Sequence, residues 1–312
     1  MMEGRKKKLI VITGPTAVGK TDLCLDVARL LDIPIINADS RQLFRDLKIG
    51  TAAPTEEQMA LVKHYFVGTL GISDYYSASM YEQDVLRLLD TLFQKSDYAL
   101  LSGGSMMYID AVCNGIDDIP TVDDKTRETL KRRLAEEGLE ALVEELHQRD
   151  PEHWTIVDRQ NPRRVVHALE ICIMTGQTYT SFRKADQRKT SGSVGQQRPF
   201  EIIKIGLNRE REELYDRINH RVDKMMEDGL LEEARRMSIY RGVNALNTVG
   251  YKELFNYFDN IWTLEEAVER IKGNTRRYAR KQLTWFKRDS QMCWFHPDDR
   301  QSIKTYIEGL KG

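Results

Sequence analysis

The sequence predicts an α/β protein: a parallel sheet of P-loop type with an all-helical insertion and a helical C-terminal part. Three observations predict it. An apolar run leads into a phosphate loop near the N-terminus, apolar strands alternate with amphipathic helices up to about residue 114, and strand patterning then stops while helical spacing continues.

Residues 8–13, Lys-Leu-Ile-Val-Ile-Thr, form the first expected strand. They open directly into Gly14-Pro15-Thr16-Ala17-Val18-Gly19-Lys20-Thr21, which fits G-x-x-x-x-G-K-[ST] with a strand before it and an amphipathic helix, residues 22–31, after it. Glycines let the backbone fold tightly around phosphate oxygens. Loop amides and the helix N-terminus supply partial positive charge, and Lys20 adds a full one. Thr21 is the expected ligand of a magnesium ion. By itself the motif reads as nucleotide binding, ATP included, and does not say which phosphate compound is held.

Further strands are expected at residues 33–37, 64–68 and 98–102, with helices at 56–63 and 80–94. Ligands of such sheets gather at the carboxyl ends of the strands, so the phosphate loop, Ala38-Asp39-Ser40-Arg41-Gln42 and Gly103-Gly104-Ser105 should face one another. Asp39 has three readings on spacing alone: general base, outer magnesium ligand, or cap of the following turn. Ser105 opens an expected helix, 106–113, where capping is the commonest role for serine; a hydrogen bond to a ligand is the other.

From about Gly115 the pattern is helical. Residues 122–137 form a charged helix stopped by Gly138, apolar residues at 139, 142, 143 and 146 follow at helical spacing, and Asn161-Pro162 caps a third helix that runs to Gly176. The polar stretch 183–199 is expected to be a loop returning to a last strand at 200–207. The expected division is therefore a core of residues 1–114 and 200–312, with a helical insertion at 115–199. The remainder is expected to be helical, with one stripe through Leu214, Ile218 and Val222 to Gly229, and another from Leu264 to Tyr278.

That second stripe continues into residues 270–288, which contain no acidic residue. Helical spacing aligns Arg276, Arg280 and Lys287 in one row and Arg277, Lys281 and Arg288 in the next. A basic face beside aromatics suits a polyphosphate backbone, and a solvated face over a buried Trp285 is the alternative. Arg163-Arg164 is a second candidate contact, or an exposed first helical turn.

Composition sets outer limits. A chain of 312 residues, 41% hydrophobic and 30% charged, is ordinary for a soluble globular protein, and a formal charge of -1 does not exclude a local basic face. Four cysteines without C-x-x-C spacing indicate neither a zinc site nor a disulfide framework and suit a reducing cytoplasm, and six histidines show no metal-ligand spacing. The basic start followed by a short apolar run is too short for a signal peptide, and no run is long enough to cross a membrane.

Taken together, the phosphate loop, Asn37-Ala38-Asp39-Ser40-Arg41-Gln42, Ile49-Gly50-Thr51-Ala52-Ala53-Pro54, Gly103-Gly104-Ser105, Gln160-Asn161-Pro162-Arg163-Arg164, Val249-Gly250-Tyr251-Lys252-Glu253 and Thr275 to Phe286 occur in an order that resembles the tRNA dimethylallyltransferases. The resemblance covers nearly the whole chain. It implies transfer of a dimethylallyl group from dimethylallyl diphosphate to N6 of adenosine 37, in tRNAs that read codons beginning with U. It further implies that the phosphate loop, Gly14, Pro15, Thr16, Ala17, Val18, Gly19, Lys20 and Thr21, holds the prenyl diphosphate with Mg2+ and does not hydrolyse ATP. By the same resemblance Arg217 and Arg221 help hold the diphosphate, Asp39 is the general base on the adenine amino group, and Ser105 is the adjacent hydrogen-bond partner. Asp39, Ser40, Arg41, Gln42, Ser105, Arg127, Gln160, Asn161, Pro162, Arg163 and Arg164 match places where the family touches the tRNA anticodon stem-loop, and the basic run adds Arg276, Arg277, Arg280 and Lys281. The zinc finger of the eukaryotic relatives is absent, which suggests the bacterial type; a cytoplasmic monomer is the expectation.

Some positions depart from the pattern. Ser105 stands where threonine is usual, Phe44 where tyrosine is common, Ala53 where lysine is common, and His64-Tyr65-Phe66-Val67-Gly68 replaces H-H-L-x-D. Three other classes use part of the same set: a P-loop kinase for a small metabolite, a non-catalytic RNA switch gated by nucleotide, and an enzyme prenylating free AMP or ADP. The first and last do without the acid-free helix as a tRNA clamp; the second leaves Asp39 and Ser105 without a chemical task.

Overall fold

The computed structural model describes residues 6–117, 119–183 and 198–310. In chain order its elements are β1 (Lys8–Thr13), α1 (Lys20–Leu31), β2 (Ile35–Asn37), α2 (Glu56–Leu61), β3 (His64–Tyr65), α3 (Ala78–Leu92), β4 (Tyr98–Gly103) and α4 (Met106–Asn114). There follow α5 (Asp124–Arg149), α6 (Pro151–Ile156), α7 (Pro162–Thr175), β5 (Glu201–Leu207), α8 (Arg211–Glu227), α9 (Leu230–Met237), α10 (Tyr251–Phe258), α11 (Leu264–Phe286), β6 (Cys293–Phe295) and α12 (Arg300–Gly309).

β1 is the centre because its side chains have nowhere polar to go. Leu9, Ile10, Val11 and Ile12 are wholly buried, and alternation sends Leu9 and Val11 to one face of the sheet and Ile10 and Ile12 to the other. Leu9 and Val11 meet Tyr81, Val85 and Leu89 of α3, whereas Ile10 and Ile12 meet Leu23 and Val27 of α1 and Ile303 and Ile307 of α12. The sheet has six strands in the order β3-β2-β4-β1-β5-β6, all parallel.

Two expectations need correction. The C-terminal part is not wholly helical, since Cys293–Phe295 adds an edge strand paired with β5 through Ile205, Gly206 and Leu207. Residues 64–68 yield only the two-residue β3, because Phe66 turns to φ 62 and ends the extended run. Gly138 interrupts α5 with φ 81 and ψ 173, as a helix stop should, and a second helical run restarts at once.

The described chain divides into two compact units, Met1–Cys113 with Arg198–Gly312, and Asn114–Gln197. The second unit is helical, with α5 and α7 packed through Leu130, Leu142, Leu146, Val165 and Leu169. Its last expected segment, 183–199, lies mostly outside the described residues. Among the described residues no helix is long and apolar enough to cross a membrane.

Candidate active site

The phosphate loop leaves β1 and enters α1 with three residues at positive φ: Gly14 at 152°, Ala17 at 64° and Gly19 at 110°. Gly14 admits no side chain, since a Cβ there would lie 2.6 Å from the carbonyl oxygen of Leu207. Ala17, a non-glycine in the left-handed region, is held there from outside the loop, where Arg217 Nε donates to its carbonyl at 2.9 Å. The next carbonyl, of Val18, accepts from Arg209 Nε at 2.9 Å, and Arg209 is clamped by Asp298 and Glu213. α8 and the β6–α12 connection therefore fix the loop's shape.

Lys20 Nζ donates to the carbonyls of Gly14 (2.9 Å) and Pro15 (2.8 Å). Burial lowers its pKa to about 8, assisted by the charge of Arg221 and opposed by that of Asp39. Burial also lowers the pKa of Arg221, again against the pull of Asp39. Lys20, Arg217 and Arg221 converge on one cavity of about 790 Å3. Thr21 and Asp22 line it too, and oxygen donors of this kind are what a magnesium ion takes.

A second cavity, of about 450 Å3, contains Ser40, Arg41 and Ser105. The two share Thr16, Asp39, Thr51, Arg221 and Tyr278, so the carboxylate borders both. Asp39 Oδ1 accepts from the amides of Arg41 (2.9 Å) and Gln42 (3.4 Å), the turn-capping bonds expected of Asp before Ser. Oδ2 takes no hydrogen bond from the described residues. Capping thus occupies one oxygen of the side chain and leaves the other without a protein donor among the described residues.

Ser105 does not cap its own helix. Its Oγ accepts from the amide of Ser40 at 2.8 Å and lies 3.1 Å from Ser40 Oγ, joining the β4 loop to the β2 loop. The glycines before it allow this approach: a Cβ on Gly103 would lie 2.2 Å from the Ala38 carbonyl oxygen, and one on Gly104 would lie 2.5 Å from Gln282 Nε2. The three strand-end loops face one another as their positions in a parallel sheet require.

α11 contributes more than a basic surface. Arg277, Arg280, Lys281, Lys287 and Arg288 are exposed, whereas Arg276 turns inward, donating to Asn219 Oδ1 (2.5 Å) and lying over Tyr215. The row expected to contain Arg276, Arg280 and Lys287 is therefore broken, because α8 packs against that side of α11. Trp285 is half-buried and donates to Asp110 Oδ2 at 2.9 Å. Tyr278, 38% exposed, borders both cavities. Gln282, on the same helix, reaches both the phosphate loop and Gly104.

In the second unit Asn161 caps α7, its side chain accepting from the amide of Arg164, and Pro162 starts the first turn. Arg163, Arg164, Gln160 and Arg127 are exposed, Arg127 lying 4.0 Å from Asp124.

A profile of the family described as IPP transferase matches residues 42–289. The chain belongs to the IPP transferase family. A tRNA dimethylallyltransferase 1 of Phocaeicola vulgatus is 60% identical over 302 residues, 97% of this chain and 98% of that protein. Among IPP transferases of solved structure, the tRNA isopentenylpyrophosphate transferase of Bacillus halodurans superposes with a TM-score of 0.70 at 33% identity, over 98% of this chain and 97% of that one. A eukaryotic dimethylallyltransferase acting on tRNA shares the fold with a TM-score of 0.74 at 24% identity, over 89% of this chain and 69% of that one. Of the departures from the family pattern, Phe44 lies in the core and His64 borders the larger cavity.

Sequence reasoning missed Gln282, Glu233 and Arg209. Gln282 left a trace: it stands in the stripe Thr275, Ala279, Gln282, Phe286, in which Ala279 and Phe286 are buried, and a buried amide needs partners. Glu233 and Arg209 left none, since each is a charged residue on a mixed helix or loop whose partners are remote in sequence.

Proposed function

We propose that this IPP transferase moves a dimethylallyl group from dimethylallyl diphosphate to N6 of adenosine 37 in tRNAs reading codons that begin with U. The observation that carries the reading is the position of Asp39 on the wall common to two cavities, one walled by the phosphate loop with Lys20, Arg217 and Arg221, the other by Ser40, Arg41 and Ser105. The diphosphate lies on Gly14, Pro15, Thr16, Ala17, Val18, Gly19, Lys20 and Thr21, with Arg217 and Arg221 as further charges. The adenine enters the cavity of Ser105.

An adenine amino nitrogen is a poor nucleophile because its lone pair is delocalised into the ring. Asp39 takes one N6 proton as the new N–C bond forms, the allylic C–O bond breaks, and its electron pair leaves on diphosphate. A positioned base of this kind contributes about 10²- to 10⁴-fold. Loop amides and Lys20 stabilise the charge that develops on the leaving group. Thr21 would hold Mg2+, which when bound supplies further neutralisation of that charge. The target base has to leave the anticodon stack to reach a pocket. Ser40, Arg41 and Gln42 beside it, the α11 row Arg277, Arg280 and Lys281 with Arg276 behind, and Arg127, Gln160, Asn161, Pro162, Arg163 and Arg164 of the helical unit contact the tRNA. The chain acts as a cytoplasmic monomer.

Incubation with dimethylallyl diphosphate and unmodified tRNA, followed by mass analysis of nucleosides, tests the reading. A C5H8 gain on adenosine is the expected result, and a gain on free AMP with none on tRNA refutes it.

A further inference from the structure

Gln282 is 2% exposed and its amide is used at both ends. Oε1 accepts from the backbone N–H of Thr16 at 2.9 Å, and Nε2 donates to the carbonyl of Gly104 at 2.8 Å. Thr16 is in the phosphate loop. Gly104 is one residue before Ser105, whose Oγ holds the amide of Ser40, next to Asp39. One side chain thus spans the two strand-end loops that meet at the cavity wall. It hangs from α11, whose opposite surface carries Arg277, Arg280 and Lys281.

The β1–β4 ladder pairs Thr13 with Gly103 where the two loops start, with Thr13 Oγ1 donating to the Gly103 carbonyl at 3.2 Å, and Gln282 links the loops one step further out. Gly104 has no side chain of its own, and its Cα is so near the Gln282 amide that a Cβ would collide with it. A buried amide satisfied at both ends has one low-energy orientation, since flipping it would set the side-chain oxygen against the Gly104 carbonyl and the NH2 group against the Thr16 amide. The β1–β4 ladder sets the separation of the two loops at their base, and the Gln282 amide sets it at Thr16 and Gly104.

We infer that Gln282 is a positioning residue for prenyl transfer: it fixes the distance between the diphosphate cradle and the Asp39–Ser105 side of the site. The inference rests on the reading of the two cavities given above. Gln282 borders the larger cavity, but both ends of its amide are taken by Thr16 and Gly104, and it acts through them. The remaining loop amides, Lys20, Arg217 and Arg221 still grip a diphosphate without it, so its loss falls on the chemical step. Misplacement of reacting groups by about 1 Å costs on the order of 10²-fold in rate.

The test compares full-length wild type, Gln282→Met and Gln282→Glu in steady-state transfer from dimethylallyl diphosphate to unmodified tRNA, with tRNA affinity by filter binding and Tm by calorimetry. Methionine keeps the volume and removes both hydrogen bonds. Glutamate keeps the acceptor for Thr16 and turns an oxygen toward the Gly104 carbonyl. Both variants should lower kcat by about 10- to 100-fold while KM for dimethylallyl diphosphate and tRNA affinity stay within about threefold. Unchanged kcat in either folded variant overturns the inference, as does a fall in kcat matched by an equal rise in KM or by lost tRNA affinity. Should Gln282→Met fail to fold, Gln282→Glu decides by the same criteria, and failure of both to fold assigns the residue a structural role only and overturns it as well. Wild type that modifies no tRNA refutes the proposed function itself, an outcome distinct from a variant that equals an active wild type.

Discussion

Asp39 engages Oδ1 with two backbone amides and leaves Oδ2 without a hydrogen bond from the described residues, so Asp39→Asn separates the turn cap from the proposed base. Asparagine keeps the turn through its own carbonyl oxygen and loses the basicity. Turnover should fall by about 10²- to 10⁴-fold with tRNA affinity unchanged, as read by nucleoside mass analysis beside filter binding; near-normal turnover removes Asp39 as the base. Lys20 gives a pH signature. With its pKa lowered to about 8, the free enzyme carries the ammonium at neutral pH and loses it as pH rises through that value. The ratio kcat/KM for dimethylallyl diphosphate should therefore decline on the alkaline side of about pH 8, and Lys20→Met should abolish that limb together with most of the affinity. At this scale the sequence was legible wherever a residue acts with its chain neighbours. Lys20 and Thr21 were readable from the loop, and Asp39 from its place after a strand. Gln282 was not, because its partners Thr16 and Gly104 lie 266 and 178 residues away in the chain.

Elements were legible by the length of their pattern. β1 and β4 came out nearly to the residue because each is a continuous apolar run, and α7 because Asn161, Pro162 and Gly176 mark both of its ends. β6 was invisible: three residues at a sheet edge, all half-buried, carry no period. It exists because Trp294 packs over Gly206, where a Cβ would come within 2.7 Å of the ring. The connection after β2 shows how elements hold a site without touching it. Glu233 of α9 accepts from the amides of Lys48 (3.0 Å), Ile49 (2.9 Å) and Gly50 (2.8 Å) and from the hydroxyl of Tyr251 (2.7 Å). Thr51, next in the chain, borders both cavities. Replacing Glu233 by alanine leaves four donors without their acceptor, and stability should fall by at least about 3 kcal/mol, measured by denaturant unfolding. Gly103→Ala should destabilise by about 1–3 kcal/mol and lower turnover as well, since its Cβ pushes on Ala38 beside Asp39.

Over the whole molecule a formal charge of -1 conceals a basic surface of five exposed cations, Arg277, Arg280 and Lys281 on α11 and Lys287 and Arg288 just past its end. If that face contacts phosphates, Arg277→Gln and Lys281→Gln should each reduce the slope of log affinity for tRNA against log salt by about 1, with kcat at saturating tRNA unchanged. An unaltered slope places the RNA elsewhere. By itself the sequence determined the class of sheet, the glycine-rich loop after β1, the candidate base and the helical character of the inserted segment, because each is written in local spacing: a motif, an alternation, a cap. Only the tertiary structure decided that Asp39 borders two cavities at once, that Arg276 turns inward while its helical neighbours face solvent, and that a glutamine from α11 bridges two loops. Those relations are between groups far apart in the chain, and their distances are set by how faces pack rather than by any period along the backbone.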